Sequence, residues 1–125
     1  MLRATGGESE TSSARAADHR DRRVLACARC RRVVTSMAER TEMNGAHEHV
    51  FVNPDGERFR IGCFADASGL VRVGPPSLEW TWFAGYTWQS EVCTGCRGLL
   101  GWLYLQGEHR FHGLVLDGLV EIDEN

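Results

Sequence analysis

Residues 92–97 read Val92-Cys93-Thr94-Gly95-Cys96-Arg97, and a second cysteine pair with the same spacing stands far upstream in Cys27-Ala28-Arg29-Cys30-Arg31-Arg32. A two-residue spacer lets a tight knuckle present two thiolates to one ion, and two knuckles complete a tetrahedral shell of four sulfurs of the kind zinc takes. Gly95 suits the turn. Arg29, Arg31, Arg32 and Arg97 beside the pairs would offset the double negative charge of a zinc tetrathiolate. Four thiolates leave no open position for water or substrate, so the role is structural. A thioredoxin-like pair would need a strand-to-helix junction, which neither pair offers. A disulfide framework is disfavoured by the odd cysteine, Cys63, and by an N-terminus without the apolar core of a signal peptide. Cys63 itself reads as a small buried side chain in a strand.

Outward from the knuckles, the apolar pattern is short and β-like: Val24-Leu25, Val33-Val34, His49–Val52, Leu70–Val73, Leu99–Leu105 and Phe111–Leu116. Asn53-Pro54-Asp55-Gly56 predicts the turn of a hairpin between His47–Val52 and Glu57–Phe64, whose second arm alternates Arg58 and Arg60 with Phe59 and Ile61. Gly74-Pro75-Pro76-Ser77 reads as another turn, and Gln106-Gly107-Glu108-His109 as the turn between the last two strands. Seven or eight short strands and no long helix predict an all-β domain. Residues 1–21, rich in Gly, Ser, Thr, Ala and charge, predict a disordered tail, and residues 22–125 the folded domain.

The 125 residues carry a net charge of -3, which hides an asymmetry: residues 1–32 hold eight Arg against four Asp or Glu, and residues 33–125 six Arg against thirteen. Phosphate contacts supply most nucleic-acid affinity, so an acidic folded part speaks against a nucleic-acid partner. No apolar run reaches the roughly 18 to 20 residues of a membrane span, and a cytoplasmic protein is expected. The chain has no lysine, which says nothing about function.

The densest information lies in Trp80-Thr81-Trp82-Phe83-Ala84-Gly85-Tyr86-Thr87-Trp88. Trp82 and Trp88 flank a bend at Gly85, while Trp102 and Tyr104 stand two apart in a strand and share a face. The Cys93/Cys96 knuckle between the two segments would dock them side by side. Core packing is the plain alternative, but indoles are seldom fully buried, and four of them fall within residues 80–102. A pocket of three indoles and a phenol would take a compact flat ring, or a quaternary cation, for which Glu79 could be the anionic neighbour.

Pro76-Ser77-x-Glu79-x-Thr81-Trp82-Phe83-x-Gly85-Tyr86-x-Trp88, then Cys93-x-x-Cys96, Gly101-Trp102-x-Tyr104 and Phe111-x-Gly113-Leu114, resemble the cereblon-type thalidomide-binding (CULT) domain family, in particular its single-domain bacterial homologues. His47–Pro54 and the first knuckle extend the match over about residues 24–120. The resemblance implies a β-tent, two antiparallel sheets pinned by structural zinc on Cys27, Cys30, Cys93 and Cys96. It also implies a cage walled by Trp82, Trp88 and Trp102 with Tyr104 at its base, Phe83 and Trp80 among the ligand-binding residues, and Asn53 closing over the ligand. The implied ligands are cyclic imides: glutarimide, the thalidomide class, C-terminal cyclic imides on proteins, or uracil-like rings. Backbone groups at Trp80 and Trp82 would read the imide edge. Trp80 departs from the His of eukaryotic members, and Ala84 from a common Pro.

A ubiquitin-ligase adaptor is not an expected partner, because no further domain is legible, and a monomer is expected. The alternative is a zinc-dependent repair or hydrolytic enzyme of the related methionine-sulfoxide-reductase-like fold. That chemistry needs a nucleophilic cysteine in a late strand, and none follows Cys96. His47 and His49 could ligate a second metal, but no carboxylate or cysteine obviously joins them. The expectation is therefore a binding module and not an enzyme.

Overall fold

The computed structural model describes residues 23–123; the tail expected over residues 1–21 and the boundary expected at residue 22 lie outside them. Nine strands follow in chain order: β1 (Arg23–Cys27), β2 (Val33–Ser36), β3 (Glu48–Val52), β4 (Arg58–Phe64), β5 (Leu70–Ser77), β6 (Thr87–Cys93), β7 (Leu99–Gln106), β8 (His109–Val115) and β9 (Leu119–Asp123). Among the described residues the helical pieces are two single 3-10 turns, Met37–Glu39 and Leu116–Gly118. None is long and apolar enough to cross a membrane. The strands form two antiparallel sheets, β2-β1-β9 and β3-β4-β8-β7-β6-β5, as the all-β reading expects.

The hairpins follow from turn chemistry. Val52 faces Arg58 across the β3–β4 turn. There Asn53 Oδ1 accepts the backbone N–H groups of Asp55 at 3.0 Å and Glu57 at 2.8 Å, while Gly56 supplies φ +86°. The β7–β8 hairpin closes at Gln106 opposite His109, with Gly107 at φ +59°. At Gly101 the backbone of β8 leaves no room for a side chain: a Cβ there would collide with the Gly113 carbonyl.

One turn is corrected. Gly74-Pro75-Pro76-Ser77 belongs to β5, whose pairing with β6 jumps from Val73 opposite Ser90 to Ser77 opposite Trp88. β5 is an edge strand, so prolines without an N–H are tolerated in an outward bulge, and Gly74 takes φ +78°. Two strands go unread in the sequence. β6 is masked by the aromatic run before it, and β9 (Leu-Val-Glu-Ile-Asp) by its acidic residues, although it pairs along the whole of β1.

The six-stranded sheet buries both faces near its middle. On one face Phe64, Cys93, Leu100 and Leu114 pack with Leu25, Cys27 and Val34 of the smaller sheet. On the other, Ile61, Cys63, Tyr104 and Phe111 pack with Phe83 from the loop before β6. Each large side chain so buried contributes about 1.5–3 kcal/mol relative to exposure.

Candidate functional site

Cys27 ends β1 in the small sheet and Cys93 ends β6 in the large one, so the two knuckles meet where the sheets converge. Their backbones are the same. Cys27 N–H donates to the Arg32 carbonyl and Cys93 N–H to that of Gly98; Arg31 N–H returns to the Cys27 carbonyl and Arg97 N–H to that of Cys93. Arg31 and Arg97 both sit in the left-handed region, at φ +70° and +66°. The sulfurs lie 3.6 Å apart for Cys27 and Cys96 and 3.4 Å for Cys30 and Cys93, and all four fall within 4.8 Å of one another. A disulfide needs about 2.05 Å. A tetrahedron of sulfurs about 2.3 Å from a central zinc has edges of about 3.8 Å, so the four residues fit such an ion.

The surroundings favour a thiolate at Cys93. Burial pushes the Cys93 thiol up, but the backbone N–H groups of Cys96 and Gly95 and the thiols of Cys30 and Cys27 together draw it down to about 7. Gly95 N–H lies 3.3 Å from Cys93 Sγ. A Cβ on Gly95 would stand 2.9 Å from Cys30 Sγ and 3.1 Å from Arg32 Nε, which is why that spacer residue must be small. His47 and His49 are placed differently. Each directs a ring nitrogen at a backbone carbonyl, His47 Nδ1 to Thr41 at 3.1 Å and His49 Nε2 to Ala46 at 3.0 Å. The metal-type cluster among the described residues is that of the four cysteines.

The second candidate site is a cavity of about 370 Å³ on the large sheet. That volume is near the lower end of the roughly 300–1,000 Å³ of small-molecule pockets and suits a compact ligand. Its sheet wall is set by register: Trp88 stands opposite Tyr104, and Ser90 opposite Trp102, so the two indoles occupy one diagonal of a four-residue patch. Trp82 enters from the loop and meets Trp102 at a centroid distance of 5.0 Å and 77°, forming a corner. Phe51 stacks on the back of Trp82 at 4.9 Å, and Phe59 meets Trp102 edge-on at 5.3 Å. Trp88 is fixed by its Nε1, which donates to the Glu79 carbonyl at 2.6 Å. Tyr104 is 2% exposed, and burial holds its phenol far above the ordinary range.

Of the residues expected here, Trp80, Trp82, Trp88, Trp102, Tyr104 and Asn53 line the cavity. Phe83 does not. It is 1% exposed and packs edge-on against Tyr104 and Phe111 at 4.8 and 5.0 Å, beneath the loop, because an aromatic at that turn finds the core before it finds the cavity. Trp80 is 67% exposed at the rim with φ +65°, a strained conformation for a bulky residue. The Asn53 carboxamide is engaged in its own turn, its oxygen as above and its Nδ2 3.4 Å from Glu57 Oε1. Glu79 contributes its carbonyl to Trp88, and the carboxylate among the lining residues is that of Glu57. Glu57, Phe59, Ser90 and Leu99 line the cavity without having been anticipated. Only the alternation of β4 hinted at them, since it puts Phe59 on the same face as Ile61.

The backbone of the loop completes the picture. Among the described residues, the Trp82 N–H and the Trp80 carbonyl make no hydrogen bond, like the Thr81 and Trp82 carbonyls of the same loop, whereas Thr81 N–H donates to the Leu78 carbonyl and Phe83 N–H to Thr81 Oγ1. A free donor and a free acceptor two residues apart thus accompany the indole corner.

A β domain with four clustered cysteines joining its sheets and an aromatic cavity on the larger one fits a ligand-binding module at a coarse level. No protein-family model matches the chain. Curated proteins do: cereblon of Gallus gallus is 31% identical over 75 residues, 56% of this chain and 17% of that protein. Cereblon of Xenopus tropicalis is 35% identical over 54 residues, 43% of this chain and 12% of that protein. The chain therefore spans less than a fifth of the length of these relatives, and the matches support a cereblon-like relationship for about half of it.

Proposed function

We propose that the protein is a binding module whose cavity holds cyclic imides, such as glutarimide, rings of the thalidomide class, uracil-like rings or a cyclic imide at a protein C-terminus. The supporting observation is the free Trp82 N–H and Trp80 carbonyl beside the corner of Trp82 and Trp102. A cyclic imide presents one N–H between two carbonyls on one edge and apolar carbons on the other. The backbone pair matches the first edge, and the indoles exclude water from the second. Cys27, Cys30, Cys93 and Cys96 would hold zinc, which supplies a cross-link between the sheets and no chemistry at the cavity.

The protein acts without covalent catalysis in this reading. Its remaining thiol, Cys63, is fully buried, and burial pushes it up to about 12, so it is no nucleophile at neutral pH. The acidic folded part speaks against a nucleic-acid ligand, and the reading needs neither a second subunit nor a ligase adaptor.

Calorimetric titration of the zinc-loaded protein with glutarimide and with N-methylglutarimide tests the reading. Glutarimide should bind saturably, and N-methylation should weaken it about tenfold or more by removing the donor and leaving the Trp80 carbonyl unpaired. Equal affinities would contradict backbone recognition of the imide, and no binding of either would contradict the function.

A further inference from the structure

The cavity carries an uncompensated negative charge. Glu57 is the charged residue among its lining, and it takes part in no ion pair among the described residues. The nearby arginine that does pair, Arg60, is engaged by Glu48 and Asp117, both at 3.2 Å. The backbone of Glu57 is held in place by the turn. Its N–H is bound by Asn53 Oδ1 at 2.8 Å, its carbonyl accepts the Asn53 N–H at 2.9 Å, and its carboxylate lies 3.4 Å from Asn53 Nδ2. The turn thus fixes the Glu57 backbone, and the exposed carboxylate is left at the cavity with the Asn53 amide as its one neighbour among these bonds.

A second observation concerns the same cavity. Trp80 is kept 67% exposed in a left-handed conformation that costs a bulky residue energy, and it lines the cavity together with Glu57. An exposed indole and a carboxylate share one kind of partner, a cation: the ring face attracts it through its quadrupole and the carboxylate through its charge.

We infer that Glu57 and Trp80 are specificity-determining residues that favour cyclic imides bearing an ammonium group on the ring carbon next to a carbonyl, the ring formed when the side-chain amide nitrogen of a glutamine with a free amino group attacks its own α-carbonyl and expels water, or the amine of a following residue, from it. This rests on the imide reading above and adds the charge of the substituent that leaves the cage. The ammonium meets Glu57 and the Trp80 face, whereas an acylated nitrogen, as in an imide at the end of a peptide, offers only a neutral N–H.

Affinities of 3-aminoglutarimide, its N-acetyl derivative and unsubstituted glutarimide at pH 6, where the amine is protonated, test the inference. The wild-type protein should bind the ammonium ring about fivefold more tightly than the N-acetyl ring, the scale of one partly exposed ion pair, and the preference should shrink as salt is raised. In Glu57→Gln, which keeps an acceptor for Asn53, the ratio should fall to near one. In Glu57→Lys it should invert. An unchanged ratio in both variants, or no wild-type preference for the ammonium ring, overturns the inference and leaves imide binding standing. Failure of the wild-type protein to bind any of the three rings overturns both.

Discussion

Trp102 links the sheet wall of the cavity to its loop wall, since it forms the corner with Trp82, stands in register with Ser90 and meets Phe59 edge-on. Truncation to Ala should therefore weaken glutarimide at least about thirtyfold, the scale of an aromatic hot spot. The zinc content, read by metal analysis of the purified variant, should not change, because the four cysteines are held by the knuckle backbones. Cys63 gives the opposite kind of prediction. With its thiol pushed up to about 12 by burial, it should resist iodoacetamide in the folded protein at pH 8 and react only on unfolding, which mass spectrometry can follow. At this scale the sequence was most legible where chemistry demands a fixed spacing, as in the two cysteine pairs. It was least legible for Phe83 and Glu57. An aromatic in an aromatic run can face core or cavity with the same neighbours in sequence, and a carboxylate in a turn looks like any solvated acid until the fold places it in the lining of a cavity with four indoles.

The loop between β5 and β6 turns strands into a site, and side chains of β6, β7 and β8 bond to it. Trp88 Nε1 reaches the Glu79 carbonyl, Gln106 Nε2 reaches the Gly85 carbonyl at 3.1 Å, and Tyr86 Oη shares a hydrogen with His109 Nδ1 at 2.6 Å. Gly85 sits at φ +88°, and a Cβ there would collide with the Gln106 amide. Gly85→Ala should thus cost about 1–2 kcal/mol in local strain and weaken ligand severalfold by displacing Trp82. A thermal melt and a glutarimide titration on the same sample check it. The β3–β4 hairpin was readable because Asn-Pro-Asp-Gly specifies its turn through the Asn53 side chain itself. The edge bulge in β5 was not, because Gly-Pro-Pro-Ser suits a turn and a bulged edge equally, and only pairing with β6 decides between them.

For the molecule as a whole, the cysteine cluster is the joint between two sheets that otherwise share one modest core. With zinc held on the four cysteines as proposed, a strong chelator should abolish the cooperative melt, since metal binding and folding are then one equilibrium. Readdition of zinc should restore it. Cys30→Ser should do the same damage without a chelator. The all-β class and the joint were legible from short apolar runs and paired cysteines. The sharing of the large sheet between a core on each face and a cavity was not, because it depends on which side of β4, β7 and β8 each alternation faces. The central claim is that this frame exists to hold a ring in its indole cage. Titration of the zinc-loaded protein with thalidomide, followed by tryptophan fluorescence, tests it most directly. A saturable change with one ligand per chain, displaced by excess glutarimide, is the predicted result; folded, zinc-loaded protein whose fluorescence shows no saturable response and no displacement would contradict it.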